Sequence, residues 1–328
     1  MSTLRSLQLP ERVRSAPLTT ARGQFAALEA QPTRGVSHRR PAVLIPGYTG
    51  SKENFLPILE PLAAAGRTVI AVDLRGQYQS PHAADRAGYA ASALAADVLA
   101  IAQAVAGEAE GAHLVGHSMG GLIAREAALC QPAGLLSLTL LGSGPGTIDG
   151  QRAEALRDLL SMLDPDNGAV PDNVSELNAM VRQAWHDSHE PQARAEGADE
   201  HIIAFLKERT LRTCPVSLIV LARYLLNCPD RSDELAAVVA SGLPAMVIYG
   251  ENDDAWPPAV QDQMARRLGA ARHCIPGAAH SPAIDAPVTT ASTLTEFWNE
   301  AERRRPTVHA RGRSRRSEAR AEDYVSGS

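Results

Sequence analysis

Short apolar runs recur along the chain, and each of them ends at glycine, proline or another turn-forming residue. The run AVLI, which is followed by Pro46 and Gly47, is apolar at every position. Short runs of this kind are typical of strands that are buried on both faces of a sheet. The pattern predicts strands at residues 42–45, 68–73, 112–116, 137–143, 245–250 and 272–277, with an outer strand at residues 25–30.

Helical patterns occupy the intervals between these strands. Residues 92–107 begin near a serine that can cap a helix and end at a glycine, and residues 259–269 also end at a glycine. Further helices are predicted at residues 122–130 and 288–302. Alternation of strands and helices predicts an α/β fold, with a mostly parallel twisted sheet and helices on both of its faces.

One long interval interrupts the alternation. Residues 144–243 contain no convincing strand pattern, but several amphipathic helices fit the sequence. Leu177, Val181 and Trp185, for example, fall near one face at helical spacing. An insertion of this size between two strands of one sheet predicts a helical cap, placed after the sixth strand.

The two ends of the chain differ from its middle. Residues 1–15 show no clear pattern, and residues 303–328 hold eight arginines, three acidic residues and almost no large apolar side chain. Such segments bury too little surface to offset the entropy lost on ordering. We therefore expect a flexible N-terminus, a disordered basic tail and, between them, an α/β core at residues 16–143 and 244–302 that carries the cap at residues 144–243.

Composition and charge exclude several classes of protein. With 328 residues, of which 45% are apolar, the chain can bury a large core without disulfides or a metal. A net charge of −5 argues against nucleic acid as a partner. The four scattered cysteines argue against a zinc site or a disulfide framework. The sequence shows neither a secretory signal nor a bilayer-spanning run, so we expect a cytoplasmic protein without stable membrane insertion.

The motif GHSMGG, at residues 116–121, is the strongest chemical signal. It lies between a predicted strand and a predicted helix, which is the context of a nucleophile elbow. The serine of such an elbow occupies a sharp, strained turn, so that its hydroxyl points out of the sheet edge. Gly116 and Gly120 allow that turn because they have no side chain to clash with the backbone. The motif predicts Ser118 as a nucleophile.

Candidate partners for this serine follow two later strands. A serine hydroxyl is a poor nucleophile until a neighbouring base removes its proton. Asp253 and Asp254 follow the strand at residues 245–250, and His280 follows the strand at residues 272–277. The carboxyl ends of parallel strands meet at one sheet edge, where ligands bind. The order of serine, aspartate and histidine therefore predicts a catalytic triad, with either aspartate as its acid.

The motifs LIPGYTG, VDLRGQYQS, VGHSMGG, YGENDDAWP and IPGAAHSP occur in this order. Together they resemble the α/β-hydrolase superfamily, and in particular its serine hydrolases with a helical cap. The resemblance implies Ser118 as nucleophile, His280 as general base and then acid, and Asp253 as the acid that holds His280. It also implies an oxyanion hole formed by the backbone N–H groups of Tyr48 and Met119.

Two positions depart from the usual pattern of the superfamily. Pro46 stands where a histidine commonly braces the loop at residues 46–50, which we call the oxyanion loop. Tyr78, in the RGQYQS motif, stands where a second glycine is commoner. Neither position belongs to the triad, but both affect the shape of the pocket. Of the other candidates, we expect His117 to be a structural or pocket-wall residue and His113 to be a core residue. Asp149 is a minor alternative for the triad acid.

Together these features predict a serine hydrolase that cleaves a carboxylic ester, or a related acyl bond, of a small hydrophobic substrate through an acyl-enzyme. This chemistry needs no metal or cofactor. Thioesterase, lactonase, C–C hydrolase and cofactor-free perhydrolase reactions use the same triad and stay open as alternatives. A non-catalytic receptor with this fold is the alternative from another class, and the sequence leaves the oligomeric state open.

Overall fold

The computed structural model describes residues 4–32, 39–107, 111–164 and 174–304. The strands in these ranges are β1 (Val13–Ser15), β2 (Leu18–Thr20), β3 (Gly23–Phe25), β4 (Ala27–Ala30), β5 (Ala42–Ile45), β6 (Val69–Val72), β7 (Ala112–His117), β8 (Leu135–Leu141), β9 (Ala245–Gly250) and β10 (Ala271–Ile275).

The helices in the same ranges are α1 (Leu56–Ala64), α2 (Ala91–Ala106), α3 (Met119–Cys130), α4 (Gly150–Leu163), α5 (Val174–Ala184), α6 (Glu190–Ala195), α7 (Glu200–Arg212), α8 (Pro215–Asn227), α9 (Ser232–Ala240), α10 (Pro258–Leu268), α11 (Pro282–Asp285) and α12 (Pro287–Arg304). Within the described ranges, no helix has the length and apolar character needed to cross a bilayer.

Eight strands form one sheet, in the order β1-β4-β6-β5-β7-β8-β9-β10. β6, β5, β7, β8, β9 and β10 lie side by side in this order, and each pair of neighbours is parallel. β4 pairs antiparallel with both β1 and β6. β2 and β3 form a separate antiparallel pair. This topology confirms the predicted α/β class with a mostly parallel sheet. It also places the strands that end at the predicted site residues, β7, β9 and β10, in one half of the sheet.

Helices cover both faces of the sheet, because alternate residues of each central strand point to opposite sides. In β5, Val43 and Ile45 pack with α2 and α3, whereas Leu44 packs with α1 and α12. Every residue of β7 and β8 is buried. Burial on both faces explains why these strands consist mostly of apolar residues, with the buried polar side chains of His113, His117, Ser137 and Thr139 among them.

The structure differs from the predicted flexible N-terminus. β1 pairs with β4 as the edge strand, so the strand that we predict as the outer one lies one place inside the sheet. Val13 and Leu4 are buried, and Leu4 packs in a cluster with Tyr78, Ile202 and Phe205. Three residues of strand are too few to give a recognisable pattern, so this segment was not predictable from periodicity.

The described residues of the long interval between β8 and β9 form six α-helices, α4 to α9, and no strand. β8 is the sixth strand of the eight-stranded sheet in chain order. We call residues 144–243 the helical segment. At the C-terminus, α12 continues to Arg304, two residues into the predicted tail. The rest of that tail, residues 305–328, lies outside the described residues.

Candidate active site

Ser118 occupies the turn between β7 and α3 in a strained backbone conformation. Its φ is 56° and its ψ is −125°, a combination that favours glycine. The turn is closed by glycines: a β-carbon on Gly120 would overlap the Pro46 carbonyl oxygen, and one on Gly116 would overlap the Gly120 carbonyl oxygen. The local sequence thus forces a tight elbow, and the Ser118 hydroxyl lies at the carboxyl end of β7.

Ser118, His280 and Asp253 form one hydrogen-bonded chain, although they come from three separate loops. His280 Nε2 lies 2.9 Å from Ser118 Oγ, and His280 Nδ1 lies 2.9 Å from an Asp253 carboxylate oxygen. With Nδ1–H donating to the carboxylate, Nε2 is free to accept the serine proton. All three residues are largely buried. The arrangement has the geometry of a nucleophile, a base and an orienting acid.

Further donors hold the Asp253 carboxylate. The Ala255 amide donates to one of its oxygens at 2.9 Å, and Gln261 Nε2 donates to the other at 2.8 Å. Burial alone would raise the pKa of Asp253, but the hydrogen bonds from His280, Ala255 and Gln261 and the charge of His280 outweigh it. The pKa of Asp253 therefore lies below its ordinary value. An ionised Asp253 can orient His280 and stabilise its protonated form.

The other two candidate acids lie elsewhere. Asp254 has a side chain that is 65% exposed, and its carboxylate pairs with Arg152 at 2.7 Å. Asp149 caps the start of α4 and accepts a hydrogen bond from the Gly150 amide. Of the three aspartates, Asp253 is the one that the structure places against His280.

Two further histidines have structural surroundings, as predicted. His117 Nε2 lies 2.8 Å from the His280 carbonyl oxygen, and burial followed by the charge of His280 lowers the pKa of His117 to about 3. A neutral His117 can donate to that carbonyl and so holds the His280 backbone. His113 is fully buried within β7 and contacts Ser137 Oγ at 2.7 Å and Glu302 at 3.1 Å.

Of the two residues predicted to supply the oxyanion amides, Met119 follows the nucleophile directly in the chain and Tyr48 follows Gly47, which lies next to Ser118. A β-carbon on Gly47 would lie 3.0 Å from the Ser118 β-carbon, so Gly47 approaches the nucleophile closely. Met119 is the first residue of α3, where the backbone N–H groups have no partner within the helix and the helix dipole favours negative charge. The Tyr48 side chain points away to the helical segment, where its hydroxyl donates to the Leu218 carbonyl at 2.7 Å.

Sequence reasoning missed two buried glutamines that contact the site. Gln261, on α10, donates to Asp253 and also to the Trp256 carbonyl at 2.7 Å. Gln77, in the loop after β6, donates to the Gly47 carbonyl at 2.7 Å. The signal for Gln77 was its place in the RGQYQS motif, whereas nothing in the sequence near Gln261 indicated its partner. In the part of the chain that the structure describes, no cluster of His, Cys, Asp and Glu is arranged to hold a metal ion.

Fold and site geometry together define an α/β protein in which a serine, a histidine and an aspartate form one hydrogen-bonded chain at the carboxyl ends of parallel strands. The chain belongs to the alpha/beta hydrolase family, whose sequence model matches residues 42–293. This match confirms the resemblance drawn from the motifs, and it covers the five loops that carry them.

Individual relatives support the same assignment. The chain is 30% identical over 259 residues to a protein from Variovorax paradoxus (strain S110) named putative carbamate hydrolase RutD, covering 78% of this chain and 90% of that one. A thermophilic esterase from Thermogutta terrifontis has a similar structure, with a TM-score of 0.62, 21% identity and coverage of 88% and 99% of the two chains. The enol-lactonase from Burkholderia xenovorans LB400 gives a TM-score of 0.61, 18% identity and coverage of 87% and 100%.

Proposed function

We propose that this protein is a serine hydrolase that cleaves carboxylic esters of small hydrophobic substrates through an acyl-enzyme intermediate. The observation that carries the proposal is the hydrogen-bonded chain from Ser118 through His280 to Asp253, with both distances at 2.9 Å. Nucleophile, base and orienting acid are thus aligned, and the strained backbone of Ser118 presents the hydroxyl at the open end of the sheet.

The reaction runs in two halves. Ser118 Oγ attacks the carbonyl carbon of the ester while His280 Nε2 takes the hydroxyl proton, and the tetrahedral intermediate expels the alcohol, which receives that proton from His280. In the second half, His280 takes a proton from water, and the resulting nucleophile attacks the acyl-enzyme carbonyl carbon. Collapse of the second intermediate releases the acid and returns the proton to Ser118. Asp253 keeps Nδ1 protonated and stabilises the imidazolium in both halves.

Negative charge develops on the carbonyl oxygen in both halves, and the proposal assigns its stabilisation to the backbone N–H groups of Tyr48 and Met119. Each donor of this kind contributes about 3 kcal/mol of transition-state stabilisation. Support comes from the close approach of Gly47, the residue before Tyr48, to Ser118 and from the position of Met119 at the start of α3. Fixed backbone donors need no reorganisation when the oxyanion forms.

The helical segment is assigned the role of a cap over the site. Ser118 and His280 are each only 8% exposed, and α8 contacts the oxyanion loop through Tyr48 and Leu218. Tyr48 also packs against an apolar cluster of the segment. The partly buried members of that cluster are Leu159, Leu160, Met162, Met180, Leu211 and Val216. We assign this cluster, through its contact with Tyr48, to the wall of the acyl pocket, where an apolar surface would favour a hydrophobic acyl group and flexible methionines would adapt to its shape.

Hydrolysis of p-nitrophenyl esters, from acetate to palmitate, tests this proposal. We expect turnover by the wild type and a loss of at least about 10⁴-fold in kcat for Ser118→Ala, because the nucleophile itself is removed. Ser292→Ala is the matched control, since Ser292 is exposed on α12, a helix that carries none of the proposed site residues. Its activity should equal that of the wild type.

A fluorophosphonate probe separates the enzyme from the receptor alternative. The probe labels a serine only where a base activates it, so we expect stoichiometric labelling of the wild type and the Ser292→Ala control and none of Ser118→Ala. A wild type that is labelled but hydrolyses no ester would move the assignment to thioesters, lactones or C–C bonds on the same triad. A wild type that is neither labelled nor active would refute serine catalysis and leave a non-catalytic receptor.

Carbamate cleavage is a second candidate function, favoured by the 30% identity to the putative carbamate hydrolase. A carbamate carbonyl is attacked by the same serine, but the carbamoyl-enzyme is deacylated slowly because nitrogen donates electrons to the carbonyl. p-Nitrophenyl carbamates distinguish the two functions. Continuous turnover at a rate above that of the matching esters would favour the carbamate, whereas one stoichiometric burst followed by inhibition would favour the ester.

A further inference from the structure

Gln77 is fully enclosed in the loop after β6, with 1% of its surface exposed. Its side-chain Nε2 donates to the Gly47 carbonyl oxygen at 2.7 Å and lies 3.3 Å from the Tyr48 carbonyl oxygen. Its Oε1 accepts from the Leu74 amide at 2.9 Å. This last hydrogen bond determines which end of the amide faces the oxyanion loop, because only Oε1 can accept from a backbone N–H. The donor end of Gln77 therefore points at Gly47.

The Gly47 carbonyl and the Tyr48 N–H belong to the same peptide group. A trans peptide is planar, and its C=O and N–H bonds point in opposite directions. A donor that holds the Gly47 oxygen on the side of Gln77 thus directs the Tyr48 N–H away from Gln77. Gly47 itself approaches Ser118 closely, and the Tyr48 N–H directed at the site is what the oxyanion hole requires. If this peptide flipped, its carbonyl would face the developing oxyanion, and like partial charges would repel.

Two other contacts hold the same region. The Gly50 amide also donates to the Gly47 oxygen, at 3.2 Å, so the oxyanion loop has a turn of its own. The buried Asp73 carboxylate accepts from the Lys52 amide at 2.7 Å and from the Gln79 amide at 3.3 Å. Asp73 thereby connects the two loops at one point, and Gln77 connects them at the peptide next to the nucleophile.

We propose that Gln77 is a positioning residue that orients the Gly47–Tyr48 peptide, so that the oxyanion hole is formed before substrate binds. The proposal rests on the proposed serine hydrolase function. Gln77, in the RGQYQS loop, would thus hold the Gly47–Tyr48 peptide in place. Pro46 cannot do this, since proline has neither a side-chain donor nor a backbone N–H.

Three variants of the full-length protein test the positioning role with an ester that the wild type cleaves. Gln77→Met keeps the side-chain length and removes the donor, and we expect kcat to fall by about 10²-fold while KM changes less than about twofold. Gln77→His keeps a donor, so most of kcat should return. Gln79→Met removes the exposed partner of Lys52 in the same loop, and its kcat should equal that of the wild type.

A readout that does not depend on turnover keeps this test separate from that of the hydrolase function. In protein labelled with ¹⁵N-tyrosine, the Tyr48 amide signal is assigned through its loss in Tyr48→Phe. We expect that signal to shift in Gln77→Met and to stay in place in Gln79→Met. An unchanged Tyr48 signal, or a wild-type kcat in a folded Gln77→Met, would overturn the proposal. A shifted Tyr48 signal in a protein without esterase activity would support the positioning and refute only the ester assignment.

Discussion

The backbone strain at Ser118 predicts an unusual order of stability between two inactive variants. Ser118→Ala keeps a β-carbon at φ 56° and ψ −125°, whereas Ser118→Gly removes it. Relief of strain at such a position is worth about 1–3 kcal/mol. Greater freedom of glycine in the unfolded chain costs about 0.5–1 kcal/mol, and loss of one buried methyl group costs up to about 0.8 kcal/mol. The glycine variant should therefore be more stable than the alanine variant by about 1 kcal/mol.

Urea unfolding, followed by circular dichroism, measures this difference as a shift in the transition midpoint. The matched control is the same pair of substitutions at Ser292, an exposed position inside α12. There glycine should be less stable than alanine by about 1 kcal/mol, because helix propensity acts without strain. The sign of the difference should thus reverse between the two sites. A glycine variant at Ser118 that is less stable than the alanine variant, as at Ser292, would show that the elbow stores no strain.

Two further substitutions test which aspartate is the triad acid and how Glu302 contributes to stability. Asp253→Asn should lower kcat by about 10³–10⁴-fold, because His280 loses the carboxylate that keeps its Nδ1 protonated, whereas Asp254→Asn should change kcat less than about threefold. Equal losses of kcat in steady-state assays would contradict Asp253 as the triad acid. Hydrogen bonds and charges from His113 and Arg67 outweigh burial and lower the pKa of Glu302 to about 2. Ionised Glu302 should therefore contribute about 2–3 kcal/mol to the free energy of unfolding above pH 4.5, and this contribution should disappear as the pH falls towards 2. The unfolding midpoint of Glu302→Gln should depend less on pH in this interval than that of the wild type. The same pH dependence in both proteins would exclude this contribution of Glu302.

The core elements were predictable from the sequence because burial on both faces leaves a simple signature. β5 and β9 appear in the structure at the predicted residues. The predicted start of β8 was wrong, at residue 137 instead of Leu135, since Leu135 and Leu136 are also apolar and the sequence does not mark where the strand begins. Boundaries inside an apolar run depend on which backbone groups pair with the neighbouring strand, and the sequence does not show this pairing.

The hydrogen-bonding partners of the site were less predictable. Ser118 and His280 follow from motifs, but adjacent aspartates cannot be ranked by pattern alone. The structure separates them because the Asp253 carboxylate turns inward to Gln261 and the Ala255 amide, while Asp254 turns outward to Arg152. Such contacts arise from the packing of α10 against the loop, which is a tertiary property. The same holds for Gln77, whose partner lies 30 residues earlier in the chain.

The place where the helical segment joins the sheet has an architectural consequence. The chain leaves the sheet at the end of β8 and returns at the start of β9, and these strands are parallel neighbours with Leu138 opposite Ala245. The parallel pairing of β8 and β9 fixes the positions of both junctions. Lengthening a loop between fixed ends costs little, about 0.6 kcal/mol for each doubling of its length. The interval between these two strands can therefore lengthen or change over evolution, or be altered by design, while the paired strands keep their register.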